Sequence, residues 1–390
     1  MSLRFIQDRS AFHRTSAIGR LLAGGIQLPV IAVLLGGVGV LALYSVVGGS
    51  MEPYATSHLV RLLAGIGLLL LSALLPARFW LLASVPLYVL SLMALAAVPV
   101  LGVTISGAQR WLDLGILTLQ PAELMKLSLV LVLAYSYQRL PPHVVSRPLA
   151  VLLALTLTLV PAVLVLEQPD LGTAMLIGAC GLTLMFAAGV NGLYFVAGAL
   201  TVGILAPVIW SGLHDYQRER ILVFLDPERD LLGAGYQVFQ SRIALAAGGL
   251  SGKGFLQGTQ TQLDFVPENH TDFVLSLIGE EHGFIGTAGV LGLFAALMLT
   301  LILSIWRTRG RFQRLVVTGV SVLFFLHVSV NVAMVMGLLP VVGVPLPLIS
   351  FGGSSLLTAL AALGVAMSMQ ADGAADLAPN RRASWRLSRG

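Results

Sequence analysis

Ten apolar runs of roughly 20 residues, separated by polar links, are the feature that most constrains this chain, because that is the length of a helix crossing a bilayer. The composition agrees: 57% of residues are hydrophobic and only 11% are charged, whereas a soluble domain carries about 25% charged residues. We therefore predict an all-α polytopic membrane protein of about ten transmembrane helices. The predicted spans lie near 24–47, 58–76, 79–102, 121–137, 148–166, 171–189, 192–212, 273–303, 315–338 and 351–371.

The positive charges divide unequally between the two sides of these spans. With a cytoplasmic N-terminus, 15 of the 23 Lys and Arg residues fall on the inner side and six in outer loops. Such a bias indicates which loops are cytoplasmic. We expect a cytoplasmic segment 1–23, a transmembrane domain 24–371 and a large extracytoplasmic loop 213–272 between the seventh and eighth spans. The basic tail 372–390 is expected to be disordered, cytoplasmic and in contact with anionic lipid.

The long loop mixes aromatic and aliphatic residues with its charges, which disfavours disorder and predicts partly ordered re-entrant or interfacial helices. Its glycine-rich run 248–258 lacks the Gly-Lys-Ser/Thr order of a phosphate-binding loop, so a nucleotide site is rejected. No nucleic-acid motif is present. Cys180 is the single cysteine, so an intrachain disulfide is excluded.

The stretch DFVPENHTDF brings Asp264, Glu268, His270 and Asp272 to the start of a span at about Phe273. Charged groups at the mouth of a spanning helix are costly to desolvate and therefore indicate a function. The structural alternative is that Thr271 or Asp272 simply caps the helix. The local sequence leaves both interpretations open.

A second polar group surrounds the start of the span near 121–137. Arg110 and Trp111 precede it, and Glu123 and Lys126 lie three apart on one face of the predicted helix. One interpretation is a neutralising ion pair within the membrane beside an interfacial tryptophan. The other is that Arg110 and Lys126 donate to a phosphate-bearing lipid headgroup.

Two further motifs lie on the same predicted side. The sequence EQPDLGT is well explained as a tight turn that leaves Glu167 and Asp170 near the membrane surface. The sequence PLPLISFGGSS, at 345–355, predicts a broken helix, which is tolerated at membrane depth only against protein or a water-filled cavity.

Taken together, GAQRWLDLG…QPAELMK, QPDLGT, FLDP…GAGYQ…QS, PENHTDF…GEEHG and PLISFGGSS resemble the motifs of the SEDS family, the glycan polymerases of shape, elongation, division and sporulation. The resemblance covers about 24–371. The run 331–355 is similar to the elongation branch more than to the division branch. One departure is Ala108–Gln109, where the family commonly has Ser-Arg or Ala-Arg before its Arg-Trp pair, so Arg110 is the transferable cation.

The resemblance implies ten transmembrane helices, lipid II as substrate, and a class B penicillin-binding protein (a PBP2-like transpeptidase) of the elongation machinery as partner. It also implies that Asp272, in the HTDF motif, is essential to polymerisation, which weighs against the capping interpretation. We expect the substrate-binding groups to come from the polar motifs and from the long loop: Arg110, Gln120, Glu123, Lys126, Asp170, Arg218, Arg220, His270 and Ser354.

These observations favour a peptidoglycan glycosyltransferase of the bacterial cytoplasmic membrane whose site faces outward, with Asp272 as general base. Charge on the leaving pyrophosphate would be stabilised by arginines or Lys126, or by a divalent cation, Mg²⁺ or Mn²⁺, held by acids. A lipid II flippase and a non-enzymatic scaffold for the penicillin-binding protein remain alternatives. The acids cluster on one side of the bilayer, which favours the polymerase.

Overall fold

The computed structural model describes residues 17–375 apart from 106, 114, 116–117, 227–229, 231–232 and 264. The N-terminal arginines 4, 9 and 14, Asp264 and the tail beyond 375 lie outside the described residues. Three short strands accompany the helices: β1 Val103–Ile105, β2 Ala108–Asp113 and β3 Thr118–Leu119. The helices are α1 Ala17–Ala23, α2 Gln27–Val46, α3 Tyr54–Leu74, α4 Ala77–Leu101, α5 Pro121–Gln138, α6 Pro148–Glu167, α7 Leu171–Ala188, α8 Gly192–Gly212, α9 Asp215–Leu225, α10 Ala234–Ala247, α11 Thr259–Gln262, α12 Val274–Arg307, α13 Arg311–Val335 and α14 Gly353–Ala375.

Nine helices in the described part of the chain are long and apolar enough to cross a membrane: α2, α3, α4, α6, α7, α8, α12, α13 and α14. The remaining predicted span, 121–137, corresponds to α5, which is 18 residues long but is not among these nine helices. Its polar residues include Glu123 and Lys126, which lower its mean hydropathy. Most of α5 is buried, packed between α4, α7 and α13. This central helix meets protein on most sides and needs a less continuous apolar surface than a lipid-facing one.

The helices form one bundle whose buried side chains make a main hydrophobic cluster. The helix α14 lies along α3, α6 lies along α7, and α13 contacts both α12 and α14. By contrast, α8 has no buried residue at all. The interior of the bundle is therefore centred on α5, α13 and α14.

The strands form a small antiparallel sheet in the order β1-β2-β3, immediately before α5. Thr104 pairs with Gln109, whose side chain also donates to the carbonyl of Gly102 at 2.8 Å. Pro121 begins α5, where the missing N–H of proline costs nothing. The sheet holds Arg110 and Trp111 at the mouth of the bundle.

The long helix α12 breaks at Gly283, which has φ 65° and ψ −160°. Hydrogen bonds lost there are replaced by the glycine-rich segment: the N–H of Phe284 donates to Gly249 O at 2.9 Å, and the N–H of Gly254 donates to Glu281 O at 3.0 Å. A Cβ on Gly252 would lie only 2.1 Å from Glu281 O. The run that superficially resembled a phosphate loop is thus a brace for a broken helix.

Two acids of α12 support the same brace. Glu280 is paired with Lys253 at 2.7 Å and accepts from the N–H of Gln260 at 2.9 Å, while Glu281 accepts from the hydroxyl of Ser45. Neither acid lines the cavity described below. The predicted helices of the long loop are present as α9, α10 and α11.

Candidate functional site

The polar motifs converge on one opening, here called the central cavity, of about 460 Å³. The non-helical segment between α13 and α14, which includes most of the predicted broken helix at 345–355, forms part of its wall through Val341, Gly343, Pro345, Phe351 and Gly352. The polar side chains of the lining come from β2, the starts of α5, α7 and α14, the helices α9 and α10, and the turn before α12. They are Arg110, Trp111, Gln120, Glu123, Asp170, Thr173, Arg220, Gln237, Glu268, Thr271, Asp272 and Ser355.

Asp272 lies in the turn that precedes α12 rather than capping the helix. The N-cap position is Phe273, and no side chain makes a capping hydrogen bond there. Asn331, buried in α13, fixes the turn by donating from Nδ2 to the carbonyls of Asp272 and Val344, both at 2.8 Å. Among the described residues, no donor reaches the Asp272 carboxylate. Because the backbone of Asp272 is held and its carboxylate is not, that group remains available to a ligand.

The surroundings raise the pKa of Asp272 to about 7. Burial is the largest cause, because it disfavours the charged form, and the carboxylates of Glu268 and Asp170 act in the same direction. Arg220 and Arg110 act against them. A carboxylate that is about half ionised at neutral pH has the proton affinity that a general base requires.

Arg110 and Asp170 form one wall of the central cavity. The guanidinium donates from Nε to Gln168 O at 3.0 Å and from Nη2 to Pro169 O, and its Nη1 lies 3.8 Å from Asp170 Oδ2. Asp170 caps α7 by accepting from the N–H of Thr173 at 3.0 Å. The turn predicted for EQPDLGT is confirmed, and it is also what orients Arg110.

Gln120 and Arg220 complete the polar wall. Gln120 donates from Nε2 to Asp170 Oδ2 at 3.2 Å. Arg220 stands on α9 with its guanidinium 6.0 Å from the ring of Tyr216, and its pKa is lowered by burial and then by the charge of Arg110. Two guanidinium groups close enough to repel each other would be stabilised by an anion bound between them.

Four of the predicted substrate-binding residues lie outside the cavity lining. Lys126 lies deeper, Arg218 donates to Trp210 O and Ser211 O, and His270 faces a neighbouring groove. Ser354 is buried at the start of α14, where its hydroxyl accepts from the N–H of Gln120 at 3.4 Å.

Lys126 is bound within the bundle. Its side chain is 5% exposed, and its ammonium contacts Glu123 Oε1 at 2.8 Å and His327 Nε2 at 2.7 Å. The intramembrane ion pair considered for the sequence is present. Only Glu123 of that pair reaches the central cavity, so an ammonium free to bind phosphate is not what the structure offers at this position.

Sequence reasoning missed two polar residues of α13, His327 and Asn331. Both stand in a run of apolar residues, and a polar side chain inside a predicted span is itself a signal of a structural or functional partner. As for a divalent cation, the described residues bring together no group of three His, Cys, Asp or Glu side chains able to hold a metal ion.

The chain matches the family model described as "Cell cycle protein" (FTSW_RODA_SPOVE) over residues 26–374. The match covers far more than half of the sequence. This chain belongs to the FtsW/RodA/SpoVE family.

Curated and solved members of the family agree. The chain is 43% identical, over 73% of its own length and 76% of the relative's, to "Peptidoglycan glycosyltransferase MrdB" of Escherichia coli K12. A solved chain described under "Structural coordination of polymerization and crosslinking by a peptidoglycan synthase complex" is 35% identical with a TM-score of 0.77, covering 89% of this chain and 97% of that one. A crystal structure of Thermus thermophilus rod shape determining protein RodA is 29% identical with a TM-score of 0.63, covering 88% and 96%.

Family membership confirms the resemblance read from the motifs, and with it the fold class of a multi-pass, all-α membrane protein. The FtsW/RodA/SpoVE region spans all nine apolar helices together with α5. Asp272 and the walls of the central cavity lie inside it.

Proposed function

We propose that this protein is a peptidoglycan glycosyltransferase that polymerises lipid II into glycan strands during cell elongation, with Asp272 as general base. The observation that carries the proposal is a single one. A carboxylate with a pKa of about 7, to which none of the described residues donates, faces a cavity that also holds two guanidinium groups. That arrangement fits proton abstraction at one end of a reacting pair and a pyrophosphate at the other.

In the proposed reaction, Asp272 accepts the proton of the acceptor sugar's 4-hydroxyl as that oxygen attacks the anomeric carbon of the donor. The new C–O bond forms while the bond from the anomeric carbon to the pyrophosphate oxygen breaks. The pyrophosphate leaves with the bonding electron pair. Charge thus develops on the leaving group, where preorganised cations stabilise the transition state most.

Arg110 and Arg220 are the groups proposed to bind that pyrophosphate. Arg110 is held by two backbone carbonyls, so little conformational entropy is lost when an anion binds it. The proposed role of Gln120 and Asp170 is to hold the Arg110 wall in place. Glu123 would contribute from the floor of the cavity, with its charge balanced by Lys126.

The proposed setting is the bacterial cytoplasmic membrane, with both termini inside and the central cavity facing outward. The bias of Lys and Arg supports that orientation. The proposed partner is a class B penicillin-binding protein. The support is that one solved relative is described as part of a complex that coordinates polymerization with crosslinking.

Two other functions were considered for this sequence. A lipid II flippase would also use a multi-helix bundle with polar groups, but alternating access requires a polar path near the midplane. A scaffold for the penicillin-binding protein would need no reactive carboxylate. The raised pKa of Asp272 favours the polymerase, because neither rival requires a base tuned to neutral pH.

The test is formation of glycan chains from labelled lipid II by purified protein with its candidate partner. We expect polymer from wild type and from Asp215→Asn, whose carboxylate is fully exposed on α9, and none from Asp272→Asn. Polymer from Asp272→Asn would remove the proposed base. Flipping of fluorescent lipid II in liposomes without polymer would favour the transporter instead.

The stability of Asp272→Asn relative to wild type follows from the pKa shift and can be measured. The unfolded carboxylate has a pKa near 3.9, and the folded one is raised to about 7, so Asp272 lowers stability progressively as the pH rises through that interval. Asparagine carries no charge to desolvate. Asp272→Asn should therefore melt no lower than wild type at pH 8.

A further inference from the structure

A second opening lies beside the central cavity on the other side of the turn 266–270. This outer groove has a volume of about 620 Å³, and its lining includes Val47, Tyr54, Glu268, Asn269 and His270. Glu268 lines both openings. The two spaces are therefore neighbours that share one carboxylate.

The wall between them is well ordered by its own contacts. Glu268 has a positive φ of 55°, an uncommon conformation for a residue with a side chain, and it is stabilised by Thr271, whose hydroxyl donates to Glu268 Oε2 at 2.8 Å. The N–H of Phe351, which lines the central cavity, donates to His270 O at 2.9 Å. This wall fixes the position of the groove relative to Asp272.

The groove offers flat rings beside polar groups. The rings of Tyr54 and His270 are stacked with centroids 4.4 Å apart and planes 15° from parallel. Asn269 lines the groove, and among the described residues nothing forms a hydrogen bond with its amide, whose atoms are open to the groove. An amide in that position can donate to and accept from a hydroxyl-bearing ligand.

The charge of the groove differs from that of the central cavity. None of the described residues that line it is Lys or Arg, and burial lowers the pKa of His270, which favours the neutral imidazole. The central cavity, by contrast, has two guanidinium groups. A pyrophosphate would bind in the cavity, whereas the groove suits an uncharged, hydroxyl-rich ligand that can stack on rings and pair with amides.

We propose that the outer groove binds the uncharged glycan portion of the growing strand. The sugars behind the reacting end are then held in the groove while the next bond forms in the central cavity, on the other side of Glu268. This inference rests on the proposed polymerase function and adds to it a second saccharide site. Such a site keeps the product attached between additions. It is therefore expected to govern strand length more than the rate of each bond.

The first test compares strand length with bond formation in the polymerisation assay. Asn269→Ala removes the amide, Val47→Trp adds bulk at another lining residue of the groove, and Gln257→Ala is a control at an exposed loop position. Loss of one hydrogen bond, worth about 0.5–1.5 kcal/mol, predicts strands about 2- to 10-fold shorter for Asn269→Ala, with lipid II consumed at nearly the wild-type initial rate. Val47→Trp should shorten strands too, and Gln257→Ala should not. Unchanged strand length in both groove variants would overturn the proposal.

The second test measures binding directly, with a soluble β-1,4-linked N-acetylglucosamine tetramer titrated into the purified protein. We expect weaker binding to Asn269→Ala and Val47→Trp, and unchanged binding to Arg220→Met in the central cavity. Equal binding to every variant would overturn the groove as a saccharide site. If the wild type makes no polymer but binds the tetramer, and both groove variants lose that binding, the polymerase function is refuted and the saccharide site is supported.

Discussion

Glu268 and Asp272 line the central cavity together from one turn, and the negative charge of Glu268 is the second cause, after burial, of the raised pKa of Asp272. The two carboxylates differ in their hydrogen bonding. Glu268 is held by Thr271, while Asp272 has no donor among the described residues. The less constrained carboxylate is the one whose proton affinity is adjusted to neutral pH.

This relationship predicts the pH dependence of polymerisation. The base must be ionised, so the initial rate should rise as the pH increases through about 7, and at pH 6 only about a tenth of the Asp272 carboxylates are ionised. Replacing Glu268 with Gln removes a neighbouring negative charge, which lowers the pKa of Asp272. The rising limb of the pH–rate profile should therefore move to lower pH.

The measurement is the pH at half-maximal rate rather than the rate itself, because Glu268→Gln also perturbs the turn. Asp215→Asn, in the same loop but fully exposed, serves as the control with an unshifted profile. A profile that does not move in Glu268→Gln, or a rate that falls with rising pH in this range, would contradict the assignment of Asp272 as base.

Two arginines of α9, two residues apart, provide a matched pair. Arg220 lines the central cavity, whereas Arg218 is used by the backbone carbonyls of Trp210 and Ser211. A hydrogen bond to a charged group contributes about 1.5–3 kcal/mol, so Arg220→Met should lower kcat/KM by about 10- to 150-fold. Arg218→Met should have a much smaller effect.

The same substitution should also change the pH profile. The positive charge of Arg220 lowers the pKa of Asp272, so its loss raises that pKa and moves the rising limb to higher pH, opposite to the shift in Glu268→Gln. Kinetics of the two arginine variants over pH 5.5–9 give both readouts. Equal losses in Arg218→Met and Arg220→Met would show that α9 acts only as a structural element.

Much of this architecture could be predicted from the sequence because hydropathy reports what faces lipid. The apolar runs located the helices. The motif PLPLISFGGSS predicted a broken helix at 345–355, and the structure has a non-helical segment at 336–352 between α13 and α14. The start of α5 was harder to assign as part of a span, because Glu123 and Lys126 are polar but face protein. Hydropathy cannot separate a buried polar helix from an exposed one. The helix was nevertheless identified from its apolar second half.

The partners of individual side chains could not be predicted, because they are set by tertiary contacts. Lys126 was a candidate ligand for phosphate, yet His327, 201 positions further along the chain, contacts its ammonium. Asp272 was a candidate N-cap, yet Phe273 occupies that position and Asn331 binds the carbonyl of Asp272. His327 and Asn331 both lie on α13, whose position beside α5 and α12 no local pattern specifies.

The brace at the break in α12 yields a prediction about stability. Gly252 and Gly249 both have positive φ, 82° and 54°, but a Cβ on Gly252 would lie 2.1 Å from Glu281 O, while one on Gly249 would meet nothing within 4 Å. Gly249→Ala should cost only the backbone penalty of about 1–2 kcal/mol. Gly252→Ala must also displace backbone, so its apparent Tm in detergent should fall well below that of Gly249→Ala. Equal apparent Tm values for Gly249→Ala and Gly252→Ala would mean that the backbone contact between Gly252 and Glu281 can shift without loss of stability.

The buried pair Glu123–Lys126 yields the last prediction, by a double-mutant cycle. His327 Nδ1 lies 2.7 Å from Leu323 O, which can only accept, so Nδ1 carries the hydrogen and Nε2 accepts from Lys126. The neutral imidazole adds no charge, and Glu123 is thus the acid that balances the Lys126 ammonium.

Removing one member of a buried pair leaves an uncompensated charge, at a cost of about 3–5 kcal/mol. Lys126→Met should therefore destabilise the protein strongly, and Glu123→Gln combined with Lys126→Met should destabilise it less than Lys126→Met alone. Phe325→Leu, a conservative change at an exposed position of α13, serves as a control for perturbation of that helix. Additive losses of apparent Tm in the cycle would show that the two charges are solvated independently, and the buried network described at the floor of the central cavity would then be wrong.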